Sequence, residues 1–188
     1  MTSHQLKIEK LTNSLDAPVL AALNAISITK TYNKSDFLLK EGDVCSKSFW
    51  IEEGIARKFY TNKDREITTE FYFKDDLAIA YESYTLQKPG REYIQALTEL
   101  KVNTTDYASF QDLKKKYTEL QELDFLMTEF YALWLEEKVF ELHTQNATQR
   151  YQNLCAKSAH IIRHVPLTHI ASYLNVSLET LSRIRAKI

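Results

Sequence analysis

The sequence predicts an α+β protein in which an antiparallel β domain comes first, a long helix follows, and two short helices end the chain. Three observations lead to this prediction. Between residues 28 and 105, segments rich in β-branched and aromatic residues alternate with turn residues at intervals of roughly ten residues. From residue 106 onward the apolar period becomes helical, and all three Gly of the chain lie before this point. Finally, positive charge is concentrated in residues 149–188.

The composition limits the classes of protein that this chain can belong to. Of its 188 residues, 44% are hydrophobic and 26% are charged, which is typical of a globular protein. No apolar run approaches the roughly 20 residues that a membrane span needs, and the start MTSHQLKIEK lacks the apolar core of a signal peptide. We therefore expect a cytoplasmic protein without a membrane partner. Two isolated Cys predict neither a disulfide framework nor a zinc site.

The predicted β domain is defined by its turns. The turns EGD, EEG and NKD, at residues 41–43, 52–54 and 62–64, bound the segments KSFWI, IARKFYT and EITTEFYF. These segments are rich in the residues that favour strands. Two later segments, REYIQAL and LKVNTTD, have the same character. The spacing predicts an antiparallel sandwich or barrel.

A long helix is predicted after Asp106, which can cap it. The segment ELDFLMTEFYALWLEEKVFELHTQ contains no Gly or Pro, and its apolar residues lie on nearly all sides of a helix. Such a helix must be buried on nearly all sides, so we expect one face to pack on the β domain and the other on a second copy. The alternative is a central core helix of a monomer. The residues predicted at the dimer interface are Leu123, Met127, Phe130, Trp134 and Phe140.

The end of the chain predicts a helix-turn-helix. Pro166 suits the first turn of a helix whose inner face carries Ile170, Ala171 and Leu174. Asn175 tolerates the left-handed conformation that a sharp turn requires, and Ser177 is a good N-cap for a second helix. In that helix Leu181 and Ile184 are expected inside. The residues expected to face outward are Leu178, Glu179, Ser182, Arg183 and Ala186.

Charge is distributed unevenly along the chain. Residues 149–188 carry six Lys or Arg against one acid, a net charge of +5, and the remaining 18 cations and 24 acids give −6. The formal total of −1 therefore combines an acidic body with a basic end. A basic end favours a polyanionic partner.

The segment IASYLNVSLETLSRIRAKI resembles the DNA-binding segment of the Crp/Fnr family of bacterial transcription regulators. The order of β domain, long helix and basic helix-turn-helix is similar to that family over essentially the whole chain. The resemblance implies a jelly-roll sensor domain, a dimerisation helix, and a winged helix-turn-helix whose second helix enters the major groove. It places the β-roll with its N-terminal helices at 1–106, the helical connector and dimerisation helix at 107–145, and the DNA-binding domain at 146–188.

The resemblance also implies roles for particular residues. Glu179 and Arg183 match base-contacting positions of the family, and Ser177 and Thr180 match phosphate-contacting positions. Leu178 replaces a cation that is common in the family, and its side chain suits contact with a thymine methyl group. The predicted DNA contacts are Ser177, Leu178, Glu179, Thr180, Arg183, Arg185, Lys187 and His169. We expect double-stranded DNA with an inverted repeat as the partner of a homodimer, and RNA polymerase is a further candidate partner.

The sensor half departs from the family pattern for cyclic nucleotides. Members that bind them use a Gly-Glu pair and an Arg-Ser or Arg-Thr pair. Here no Gly precedes Glu82, and Arg91 is followed by the acid Glu92. We therefore expect no cyclic nucleotide, no bound cofactor and, without the family's cysteine sets, no iron-sulfur cluster. The residues predicted for any other effector pocket are Phe71, Phe73, Tyr81, Glu82, Tyr84 and Arg91, but core packing is the favoured explanation of the aromatic members.

An enzyme is the rival class, and the sequence gives it little support. No His lies between residues 28 and 105, and His160, His164 and His169 are not accompanied by the Glu of a zincin pattern. No GxSxG element and no Gly-rich phosphate loop is present. We predict a homodimeric, sequence-specific DNA-binding transcription regulator that is not an enzyme and has no metal site. Its sensor domain would be a degenerate form of the cyclic-nucleotide-binding type. The alternative is a ligand-binding or protein-interaction module that no longer binds DNA specifically.

Overall fold

The structure, a computed structural model, describes residues 3–63 and 65–187, with side chains from residue 8 onward. Asp64 of the predicted NKD turn and Ile188 at the basic end lie outside the described residues. The helices are α1 Ser3–Asn13, α2 Ala17–Ile26, α3 Tyr81–Leu86, α4 Tyr107–Lys116, α5 Thr118–Thr144, α6 Ala147–Lys157, α7 Ala159–His164, α8 Leu167–Tyr173 and α9 Leu178–Arg185. The strands are β1 Ser27–Tyr32, β2 Phe37–Leu39, β3 Lys47–Glu53, β4 Ala56–Asn62, β5 Arg65–Tyr72, β6 Leu77–Ala78, β7 Tyr93–Ala96 and β8 Leu100–Asp106.

The eight strands form two antiparallel four-stranded sheets. Their strand orders are β1-β8-β3-β6 and β2-β7-β4-β5, so β5 is an edge strand of the second sheet. The predicted strands and the mixed α and β character are confirmed. Side chains that alternate along each strand meet between the sheets. This core contains Leu39, Cys45, Phe49, Ile51, Ala56, Tyr72, Ala78, Ala80, Ile94, Ala96, Leu100 and Val102.

The predicted long helical region is also confirmed, with one break. The side chain of Asp106 accepts a hydrogen bond from the N–H of Ser109 and begins α4, as expected for an N-cap. At Tyr117 the backbone becomes extended, and α5 then continues for 27 residues. A small cluster of Leu15, Val19, Leu113 and Leu120 joins α2 to these helices.

The C-terminal segment forms four helices around its own core. Asn146 and Gln149 make a capping box at the start of α6. The β wing implied by the family resemblance is not formed between residues 145 and 187, where the structure has helices and turns only. The winged form of the helix-turn-helix therefore stays a prediction.

The chain divides into two compact units. One combines Met1–Ile28 with Thr105–Thr144, and the other combines Thr29–Thr104 with Gln145–Ile188, so that the sheets and the C-terminal helices belong to the same unit. The division at 106 and 145 into three domains stays a prediction. Among the described helices, none has the length and hydropathy needed to cross a bilayer.

Candidate nucleic-acid interface

Helices α8 and α9 pack against each other as a helix-turn-helix. Ile170 and Ala171 of α8 and Leu181 of α9 are almost completely buried, and Ile184 is 8% exposed. The small side chain of Ala171 lets the two helices approach, because a larger one would separate them. The inner faces predicted from the apolar spacing are therefore confirmed.

The turn between these helices has the predicted conformation. Asn175 has φ 53°, in the left-handed region that Asn tolerates. The N–H of Val176 donates to the carbonyl of Ala171 at 3.0 Å and closes the turn. Arg150 of α6 stabilises this turn, because its guanidinium donates to the carbonyl of Leu174 at 3.1 Å and to that of Gln145 at 2.6 Å. One of the six cations of the basic end thus has a structural role.

The first turn of α9 is capped as predicted. The hydroxyl of Ser177 accepts a hydrogen bond from the N–H of Thr180 at 3.1 Å. Hydrogen bonds from the backbone N–H of Glu179 and from the Ser177 side chain lower the pKa of the Glu179 carboxyl, and the charge of Arg183 acts in the same direction. Glu179 is therefore an ionised acceptor near neutral pH.

The outward face of α9 carries groups that can read base edges. Leu178, Glu179, Ser182 and Arg183 are exposed there, opposite buried Leu181. Arg183 donates to the hydroxyl of Thr180 at 3.2 Å. An anionic acceptor and a bidentate donor one helical turn apart suit the edges of cytosine and guanine.

Other predicted contacts lie at the margins of this face. Lys187 is exposed in the turn that follows α9. Arg185 is exposed too, but it lies beside Tyr151 of α6. The structure therefore brings Ser177, Glu179, Thr180 and Arg183 together and leaves Arg185 to one side.

His169 does not belong to this face. Its Nδ1 lies 3.0 Å from a guanidinium nitrogen of Arg57 on β4. Burial and the charge of Arg57 lower the pKa of His169, although Glu66 opposes the effect. His169 was predicted to contact DNA, and no local pattern in the sequence indicated Arg57 as its neighbour.

The six residues predicted for an effector pocket are not brought together. Phe71 and Phe73 pack with the C-terminal helices: the Phe71 ring lies 5.2 Å from that of Tyr173, and the Phe73 ring 4.5 Å from that of His160. Along β5, neighbouring side chains point to opposite faces, so Phe71 faces away from the core that contains Tyr72.

The remaining members of this set also differ in position. Tyr84 packs against the core between the sheets, and Tyr81 lies in the same short helix, α3. Arg91 forms an ion pair with Glu82 at 3.3 Å, and both side chains are mostly exposed. The Arg91 guanidinium is therefore already paired with a carboxylate of the same domain.

A buried ion pair, missed in the sequence, occupies the interior of the β domain. Lys58 of β4 is 1% exposed, and its Nζ lies 2.5 Å from a carboxylate oxygen of Glu70. The hydroxyl of Tyr72 donates to Glu70 at 2.8 Å, and Glu92 lies 4.0 Å from Lys58. Burial raises the pKa of Glu92, while Lys58 opposes that shift. In the strand ARKFY, the adjacent cations Arg57 and Lys58 point to opposite faces, so one of them must face the interior. This was the feature of the sequence that could have indicated a buried cation.

The predicted dimer residues occupy α5. Phe140 is 61% exposed, whereas Phe130, Met127 and Trp134 are half-buried and Leu123 packs partly against the α2 and α4 cluster. Further large apolar side chains are exposed on α5, namely Phe125, Leu133, Leu135, Val139 and Leu142. So much exposed apolar area on one helix is typical of an interaction surface.

The described residues contain no group of three or more His, Cys, Asp or Glu side chains that could hold a metal ion. No protein-family model matches the chain, and no curated protein matches it in sequence.

Solved structures share its fold. FixK2 from Bradyrhizobium japonicum matches with a TM-score of 0.76 and 16% identity, over 86% of this chain and 84% of FixK2. The c-di-GMP responsive global regulator CLP from Xanthomonas campestris matches with a TM-score of 0.71 and 14% identity, over 92% and 91%. A CooA mutant from Carboxydothermus hydrogenoformans matches with a TM-score of 0.70 and 16% identity, over 95% and 82%. These structural neighbours are Crp/Fnr regulators, so the predicted resemblance to that family is confirmed at the level of the fold.

Proposed function

We propose that the chain is a homodimeric transcription regulator that binds double-stranded DNA in a sequence-specific manner and is not an enzyme. The observation that carries this proposal is the outward face of α9, where Glu179 and Arg183 are exposed on a helix fixed by buried Leu181 and Ile184. The fold of the structural neighbours, which are transcription regulators, supports it.

The proposed dimer forms through α5. A two-fold axis would present two copies of α9, so the site should be an inverted repeat with half-site centres about one helical turn, roughly 34 Å, apart. The exposed apolar side chains of α5 support this arrangement, since a helix with such a surface is rarely left in water.

The β domain is proposed to be a jelly roll that lacks the family's contacts to cyclic nucleotides. The strand orders support the jelly roll, because the eight strands form two facing sheets. The ion pair of Arg91 with Glu82, and the internal pair of Lys58 with Glu70, support the second part of the proposal. In both places the cation that could neutralise a phosphate already has a carboxylate partner.

Selection from a random duplex library tests the DNA-binding proposal. We expect enrichment of an inverted repeat, with affinity that falls as salt concentration rises. Enrichment of asymmetric single sites, or a preference for single-stranded DNA, would contradict it. Equal retention of all sequences would instead favour an interaction module that has lost specific DNA binding.

Sedimentation of a Phe140→Asp variant tests the dimer. Phe140 is suitable because its exposure in the protomer leaves the protomer core intact, and the new charge would be desolvated only in a dimer. We expect the wild-type chain to sediment as a dimer at micromolar concentration and the variant to shift toward the 21.9 kDa monomer. Glu136→Lys on the exposed surface of the same helix is the matched control. A monomeric wild type would refute the dimer.

A further inference from the structure

The C-terminal helices are docked on the β domain along one edge. Half-buried side chains of the second sheet pack against the core of these helices, so the two parts share apolar surface. The side chains from the sheet and its adjoining loops are Ile55, Phe71, Phe73 and Leu97. Such apolar contact favours docking but does not depend on pH.

The edge strand β5 is completed by a side chain of α8. The hydroxyl of Ser172 accepts a hydrogen bond from the N–H of Thr68 at 2.9 Å and donates one to the carbonyl of Glu66 at 2.6 Å. An edge strand presents backbone groups without a neighbouring strand, and burying them unpaired would be costly. One hydroxyl of α8 therefore satisfies both a donor and an acceptor of β5.

A second polar contact lies one turn earlier on α8. Arg57 is 2% exposed, and its guanidinium donates to Glu66 at 2.5 Å and to Gln95 at 2.8 Å. The same guanidinium lies 3.0 Å from Nδ1 of His169. Arg can only donate hydrogen bonds, so Nδ1 must be the acceptor and carry no proton.

We propose that Ser172 and His169 are positioning residues that dock the helix-turn-helix on β5, and that this docking requires a neutral His169. Protonation would turn Nδ1 into a donor that faces the donors of Arg57, and it would place two cations in contact. The contact would then favour release of the helices.

Burial of His169 and the charged groups around it together set the direction of the pH effect. Arg57 of β4 disfavours the imidazolium and Glu66 of β5 favours it, while Gln95 of β7 is neutral. The net effect lowers the pKa of His169 in the docked state. The contribution of neutral His169 to docking is therefore fully present above the ordinary His pKa of about 6.5. As the pH falls below that value the undocked form gains the proton first, and the docking equilibrium weakens by up to about tenfold per pH unit.

Hydrogen exchange of the Thr68 amide, followed by NMR in the full chain, reads this docking directly. That amide donates to Ser172, so its protection depends on α8. Exchange rates are divided by the intrinsic rate at each pH. For the wild type we expect Thr68 protection to fall by up to about tenfold between pH 6.5 and 5.5. Amides in the β4–β7 ladder should stay protected and show that the sheet is intact.

Substitutions of His169 separate the proton effect from simple packing. In His169→Gln the amide oxygen can still accept from Arg57 but cannot be protonated, so Thr68 should stay protected with no dependence on pH. His169→Lys places a permanent cation there and should reduce Thr68 protection at least tenfold at every pH, with the β4–β7 amides unchanged. His164→Gln, at an exposed position of α7, is the matched control and should behave as the wild type.

Two outcomes would overturn the proposal. One is the same loss of Thr68 protection below pH 6.5 in His169→Gln as in the wild type. The other is full protection of Thr68 in His169→Lys. The experiment contains no DNA, so a negative result for docking would not contradict the proposed DNA binding. A failure of DNA binding would likewise not contradict the docking result.

Discussion

Replacement of Arg183 by Ala should change which base pair the protein prefers. Arg183 is exposed on the face of α9 opposite buried Leu181, and its guanidinium is already oriented by the hydroxyl of Thr180 at 3.2 Å. A bidentate contact with guanine contributes about 1–3 kcal/mol of discrimination. At about 1.4 kcal/mol per tenfold in affinity, each half-site should lose roughly 5- to 150-fold of its preference at one base pair.

The assay compares the selected operator with versions in which one base pair of each half-site is changed. In Arg183→Ala we expect the affinities for these versions to converge at one position, while binding to unrelated DNA changes little. Lys187→Ala is the contrasting variant, because Lys187 lies in the exposed turn beyond α9, where a phosphate is the available partner. It should weaken all sequences alike and reduce the slope of log affinity against log salt by about one for each protomer. Uniform loss of affinity in Arg183→Ala, with the base preference intact, would refute the placement of α9 in the DNA groove and the base contact assigned to Glu179.

Three further predictions concern stability and can be measured by denaturant unfolding. Lys58→Met should destabilise the protein by about 3–5 kcal/mol, because it leaves the carboxylate of Glu70 buried without its cation. Adding Glu70→Gln should recover part of that loss. An unchanged unfolding midpoint in Lys58→Met would contradict the buried pair. Gly54→Ala should lower the free energy of unfolding clearly more than Gly42→Ala. Both residues have positive φ, but only at Gly54 would the new methyl group overlap a backbone carbonyl oxygen. Equal losses would show that the backbone at Gly54 moves freely. Asn175→Ala should lower the free energy of unfolding by about 1 kcal/mol, because residue 175 has a left-handed φ that Ala disfavours. Asn175→Gly should lower it less. The reverse order would contradict the turn geometry.

Features that depend on neighbours in the chain were predictable. Ser177 caps α9 and Asn175 adopts positive φ because both properties follow from a side chain and its adjacent backbone. Asp106 begins α4 for the same reason. The strands followed from turn spacing and alternation. The β wing was taken from the family resemblance and not from a local pattern, and residues 145–187 form helices and turns only.

Features that depend on distant contacts could not be predicted in the same way. The grouping of Phe71 and Phe73 with Tyr84 failed because alternation shows that two residues share a face but not what covers that face. His169 was expected at DNA, and its actual partner Arg57 is 112 positions away in the sequence. The local pattern contains no information on such a pair.

The sequence by itself determined the order of the elements, the helix-turn-helix with its exposed Glu179 and Arg183, and the uneven distribution of charge, because each depends on short-range periodicity, capping or composition. The tertiary structure alone decided what the second face of β4 and the free edge of β5 contact. Because β4 is buried on both faces, both Arg57 and Lys58 need polar partners: Arg57 contacts His169 of α8, and Lys58 pairs with Glu70. Ser172 contacts β5 only because α8 is packed there. Those contacts arise from the desolvation cost of unpaired buried groups, which acts between segments far apart in the chain.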